Sequence, residues 1–147
     1  MDKALNYLSI ARKAGLVELG EEPVAGAARG LHAVLVVVAQ DASDHTWRRA
    51  KSLVAGTNQQ CLRLPHTKDE MGMAVGRVSL AVAAITDAAL ALSLVQSLED
   101  GEQTRQALQV LQQRVQRVRQ RAKEEKAHKR NVRMGGKKPK LPGKRNG

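Results

Sequence analysis

The chain is predicted to fold as an α/β protein, a layered sandwich of helices around a small sheet, with a basic helical extension after it. Three observations predict this. Short β-branched runs alternate with helical patterns of about ten residues, the signature of helices packed on a sheet. The run from His32 to Ala39 (HAVLVVVA) is continuously apolar and bounded by Gly30 and Asp41, as a central strand covered on both faces requires. Charge is unevenly divided. Residues 1–100 carry 10 Lys+Arg against 11 Asp+Glu, whereas residues 101–147 carry 15 against 3, giving the overall +11.

The elements follow in order. Ala4, Leu5, Leu8 and Ala11 fall at helical spacing, so residues 2–14 form an amphipathic helix, with Arg12 and Lys13 at its negative end and Gly15 as its stop. Leu16–Leu19 is a short strand. Gly20 precedes Glu21-Glu22-Pro23, acids and proline in the first turn of a helix ending near Gly30. After the His32–Ala39 strand, Asp41-Ala42-Ser43-Asp44 supplies turn and cap chemistry for a helix over 45–55 with Trp47, Ala50 and Val54 inward. Cys61–Leu64 is a strand closed by Pro65. Thr67 and Glu70 have the capping-box spacing, opening a helix to Val75. Gly76–Ser79 is a loop, Leu80–Ile85 a strand, and Asp87 caps a helix with Leu90, Leu94 and Leu98 on one face. These elements make residues 1–100 one domain. Over 101–126, Leu108, Leu111, Val115, Val118 and Ala122 recur at intervals of three and four, an apolar stripe on a basic helix. Residues 127–147 are rich in Lys, Arg, Gly and Pro and are predicted to be disordered.

Several classes of function are disfavoured. The four histidines and the lone Cys61 lack metal-ligand spacing, and no Gly-rich phosphate loop or nucleophile elbow is present. No catalytic residues, metal or cofactor are therefore expected. Pairing Cys61 with His66 as nucleophile and base is disfavoured, because Cys61 opens a buried strand. Residues 1–20 lack the apolar run of a secretory leader, and the single cysteine fits a reducing cytoplasm. The apolar stretch from Val78 to Val95 is broken by Asp87, so no membrane span is expected. Tyr7 and Trp47 are the only aromatic residues, too few for a platform that stacks several bases.

The charge distribution points to a polyanion. Two segments of the body suit recognition. The helix start at Gly20, Glu21 and Glu22 offers free N–H groups to phosphate, and its carboxylates can accept from base amino groups; they equally complement the helix dipole. In the segment from Lys68 to Arg77, Gly72, Ala74 and Gly76 permit close backbone approach. Arg77 and Ser79 suit phosphate or sugar, and Val78 suits a base; tight packing explains the same glycines. Arg114, Arg117 and Arg121 add sequence-blind attraction.

The segments LGEE (19–22), AQDAS (39–43), KDEMGMAVGR (68–77) and AITD (84–87) resemble, in order and separation, the ribosomal "L-seven-Ae" family, which includes the "L-thirty-e" proteins. The likeness covers residues 3–98 and is greatest to small bacterial ribosomal-protein-like members. It implies a three-layer α/β/α sandwich with a four-stranded mixed sheet. It also implies a non-catalytic, ribosome-associated role in translation, binding structured RNA of the kink-turn type. The first RNA site would be Gly20, Glu21 and Glu22; the second would be Arg77, Val78 and Ser79, with Lys68 beside it. The pattern departs at Glu22, where Asn is usual, at Pro23, where Glu is usual, and at Gly26, where Lys is usual. The alternative is a protein-interaction module in which the Leu108–Ala122 stripe dimerises or folds back on the body.

Overall fold

The structure, a computed structural model, describes residues 2–134. Helix α1 (Lys3–Ala14) starts at Asp2, whose carboxylate accepts from Ala4 N at 2.8 Å, and stops at Gly15 with φ 73°. Strand β1 (Val17–Leu19) leads through Gly20 to α2 (Glu21–Arg29). Strand β2 (Leu35–Val38), α3 (Asp44–Val54), β3 (Gln60–Arg63), α4 (Lys68–Ala74), β4 (Val82–Ile85) and α5 (Ala88–Gln96) follow. Helix α6 spans Glu102–Met134.

Side-chain caps set three further helix starts. Ser43 accepts from Thr46 N at 3.2 Å and Asp87 from Leu90 N at 2.9 Å. Thr67 and Glu70 form the reciprocal capping box, at 3.1 and 2.8 Å. Each cap contributes about 1 kcal/mol by satisfying a helix-end N–H.

The sheet has the order β1-β4-β2-β3. β4 pairs antiparallel with β1 and with β2, and β2 pairs parallel with β3. α1 packs with α4 and α5, and α2 packs with α3, so the sheet is the middle of three layers. All four residues of β2 and of β4 are buried, as the continuous apolar runs predicted.

Strand β2 is shorter than the His32–Ala39 run. His32 is still in the turn after α2 and is exposed, and the Ala33 N–H donates to the Gln59 side chain rather than to a ladder. β4 likewise starts at Val82, because the Leu80 N–H donates to Lys68 O. On α3, Thr46, Ala50 and Val54 are buried, while Trp47 is half-buried.

The compact unit runs to Gln112, beyond the boundary expected at residue 100. Ala107 and Leu111 of α6 join its core, so the start of the apolar stripe is used intramolecularly, whereas Val118 is exposed. α6 continues through residues 127–134, which were expected to be disordered. Composition explains this: Gln, Arg, Lys, Ala and Glu are good helix formers, and Gln120 donates to Glu124 one turn on. The rest of the expected disordered tail, 135–147, lies outside the described residues.

One backbone position is strained. The Leu31 N–H donates to Ala28 O and the His32 N–H to Ala27 O, a Schellman closure of α2. This puts Leu31 at φ 61°, where glycine is usual, with its side chain largely in water. The left-handed conformation costs an L-residue about 1–2 kcal/mol, partly offset by the smaller unfolded-state entropy of leucine. Leu31→Gly is therefore expected to stabilise the protein by about 0.5–1 kcal/mol, read as a higher urea midpoint with an unchanged denaturant slope.

Candidate nucleic-acid interface

Gly20 links β1 to α2 with φ 95°, a conformation that favours glycine. Its N–H donates to Val82 O at 3.0 Å, which ties the start of α2 to the start of β4. No side chain caps α2. Among the described residues, the Glu21 and Glu22 backbone N–H groups have no hydrogen-bond partner, and Pro23 has no N–H to satisfy. The positive end of the helix is thus open to an acceptor.

The loop after α4 is folded tightly back on that helix. The Arg77 N–H donates to Gly72 O at 2.8 Å, and Gly76 turns the chain with φ 77°. A Cβ at Gly72 would lie 2.8 Å from Arg77 O and from Ser79 N and Cα, so only glycine admits this loop path. Val78 projects almost wholly into solvent, and Met73 is also exposed. Lys68, which accepts from Leu80 through its carbonyl, donates its N–H to Asp41 Oδ1 at 2.8 Å.

The two sites read from sequence meet. Arg77 Nη1 lies 3.8 Å from the position a Gly20 Cβ would occupy. A guanidinium therefore stands beside an uncapped helix start, next to an exposed apolar side chain at a loop tip. That set suits phosphate, sugar hydroxyl and base face together. Arg114, Arg117 and Arg121 lie at i, i+3 and i+7 on one side of α6, with Arg117 and Arg121 exposed.

Sequence reasoning missed Arg49. From α3, its Nη1 and Nη2 reach Glu21 Oε1 and Glu22 Oε1, each at 3.2 Å. The hydrogen bonds to Glu22 and then Glu21 raise the guanidinium pKa further. Both carboxylates are thus held toward α3, with Glu22 still mostly exposed. No local pattern announces a pairing across 27 residues.

Trp47, half-buried on α3, carries two cations. Arg63 Cζ is 4.8 Å and Lys51 Nζ 5.5 Å from its ring centroid. Cys61 lies near both. Burial pushes its thiol up to about 12, and Lys51 and Arg63 offset only part of that effect. The neutral thiol is a poor nucleophile. His66 is buried, and among the described residues no group of three His, Cys, Asp or Glu could hold a metal ion. No helix among them is long and apolar enough to cross a membrane.

No protein-family model and no curated protein matches the chain. Solved structures do match its fold. A protein of unknown function from Bacillus halodurans is 24% identical with a TM-score of 0.62, covering 66% of this chain and 97% of its own. The 15.5kD RNA binding protein of Giardia lamblia is 18% identical with a TM-score of 0.54, covering 65% of this chain and 81% of its own. The fold is therefore one that an RNA-binding protein also uses.

Cys61 provides a test of the packing between α3 and β3. With its thiol pushed up to about 12, native Cys61 should react with iodoacetamide at pH 8 much more slowly than in the unfolded chain. Because the folded form holds the thiol proton more tightly, stability should fall as pH rises from 9.0 toward 12.

Proposed function

We propose that this protein is a non-catalytic, cytoplasmic RNA-binding protein of the ribosomal-protein type. It reads a kink-turn-like RNA with the Gly20–Glu22 helix start and the Arg77–Ser79 loop. The observation that carries the proposal is the meeting of those two segments, with Arg77 Nη1 3.8 Å from the Cβ position of Gly20. The resemblance of residues 3–98 to the kink-turn binders and the fold shared with the Giardia protein support the same reading.

The open α2 start would accept phosphate or sugar oxygens, and Val78 would pack on an unstacked base. Glu21 and Glu22 would accept from base amino and imino groups, with Arg49 fixing their orientation. Gly26 stands where kink-turn binders carry Lys, so the body lacks one cation of the groove. The basic residues of α6, Arg114, Arg117 and Arg121 among them, would supply the missing affinity without sequence preference. Ribosomal RNA is the expected partner. Burial of Ala107 and Leu111 in the compact unit counts against the dimerising alternative, since that end of the stripe is already occupied.

Affinity and selectivity should therefore separate. The full chain is titrated with a kink-turn RNA and a plain duplex across salt. Replacing Arg114, Arg117 and Arg121 with Gln should reduce the log–log salt slope by about 2–3 and leave the kink-turn preference intact. Arg77→Ala should instead lower that preference by roughly tenfold or more, the weight of one charge-assisted contact. No preference by the unaltered chain would sink the kink-turn reading.

Gly26 gives a gain-of-function test. It is exposed, and nothing lies within 4 Å of its Cβ position, so a side chain fits. Gly26→Lys should tighten kink-turn binding by about tenfold and raise stability slightly through helix propensity. Unchanged affinity would place the RNA elsewhere.

A further inference from the structure

Trp47, Lys51 and Arg63 stand apart from the site described above, yet at the same end of the sheet. Leu19 pairs with Ala83 and Gly20 donates to Val82, while Val38 pairs with both Val82 and Arg63. The carboxyl ends of β1, β2 and β3 and the amino end of β4 therefore lie together. With strands about 4.8 Å apart, the two edges of that end are separated by about 14 Å. Gly20 and Arg77 mark one edge, and Arg63 and Trp47 mark the other.

Beside Arg63 runs a groove of about 530 Å³, bordered by Gln40, His66, Leu64 and Thr104. This is within the size range of pockets that hold small organic groups. A buried polar group stands in its wall. His66 is 8% exposed, and its Nε2 has no hydrogen-bond partner among the described residues. Asp2 Oδ1 is 3.2 Å away but out of alignment, and it already accepts from Ala4 N. Neither Lys51 nor Arg63 has an ion-pair partner among the described residues.

The chemistry favours a nucleotide. A planar guanidinium over an indole extends the aromatic face, and a base can stack on it in turn. Lys51 and Arg63 suit one phosphate. Asp2 and Glu99 on the groove wall would repel a densely anionic ligand, but they can accept from base amino groups or a 2′-hydroxyl. An acidic peptide or a lipid surface would leave the stacking face unused. A single indole serves one base, consistent with a chain too poor in aromatics for a longer platform.

We infer that Trp47, Lys51, Arg63 and the adjoining groove hold one unpaired nucleotide that flanks the structured RNA bound at Gly20 and Arg77. This inference rests on the RNA-binding reading above.

The test uses the full chain with two kink-turn RNAs, one blunt and one with a short single-stranded extension, at fixed salt. The extension should tighten binding by about tenfold, the weight of one stacked base, and quench the emission of Trp47, the only tryptophan. Arg63→Ala should remove that gain and leave blunt-RNA affinity nearly unchanged. Arg63→Lys, which keeps the charge and loses the plane, should remove most of it. Both substitutions are at an exposed position, so they test the site without disturbing the core. Equal affinity for the two RNAs, or a gain that survives both substitutions, would overturn the inference while leaving the kink-turn reading standing. If neither RNA is preferred over plain duplex, the proposed function fails. The nucleotide site is then read with a single-stranded oligonucleotide alone, and absence of Trp47 quenching overturns it too.

Discussion

The architecture depends on burying β4 against helices on both faces while it pairs with a strand on each edge. Its sequence, Val-Ala-Ala-Ile, is fitted to that demand. Ala83 and Ala84 are fully buried, and small side chains let the helical layers approach the backbone closely. Larger residues there would force the layers apart at a cost of about 1–3 kcal/mol each. Because β4 joins β1 to β2, its amino end also fixes what surrounds it. The Val82 carbonyl receives Gly20 and the Ala81 carbonyl receives Ala39, so the loops at that end are tied to one short strand.

Glycine then sets how closely those loops approach. Gly72 lets the backbone of Arg77 and Ser79 lie against α4 at distances no Cβ would allow, and Gly20 supplies a positive φ at the start of α2. Each backbone path is fixed in this way, and the Arg77 side chain then brings the two together, its Nη1 3.8 Å from the Gly20 Cβ position. A surface built this way is preorganised. Little backbone entropy would remain to be lost on binding, which would matter for a body whose net charge provides no long-range attraction, although the exposed Arg77 and Val78 side chains would still have to be ordered.

Much of this was legible in the sequence because the signals are local. The caps at Thr67 and Asp87 rest on side chains bonding three residues on, the stop at Gly15 on its backbone, and each is found where expected; the cap expected within Asp41–Asp44 proves to be Ser43. The four strands also follow from runs of apolar residues, although periodicity could not say that His32 and Ala33 stay outside the ladder. The non-local features were opaque. Arg49 meets Glu21 and Glu22 only because α3 packs beside α2, and Arg63 lies over Trp47 only because α3 covers β3. The extent of α6 was misjudged for a different reason. Its apolar stripe ends near Ala122, but backbone propensity and pairs such as Gln120–Glu124 continue the helix without a core to bury.

The same contrast bears on how charge is used along the chain. In the body, Arg49 is committed to two carboxylates, whereas Arg77, Lys51 and Arg63 have no ion-pair partner among the described residues. A cation left unpaired in a nearly neutral domain is not offset by a neighbouring carboxylate, and its backbone position is fixed by the fold. The cations of α6 are more numerous, and salt screens these and the exposed body cations alike, with a Debye length of about 8 Å at physiological ionic strength. On the function proposed above, the α6 cations would recruit a polyanion without specifying where on it to rest. On the same proposal, register would come from the few body cations held next to shaped neighbours: Arg77 beside Gly20 and Val78, and Arg63 over Trp47.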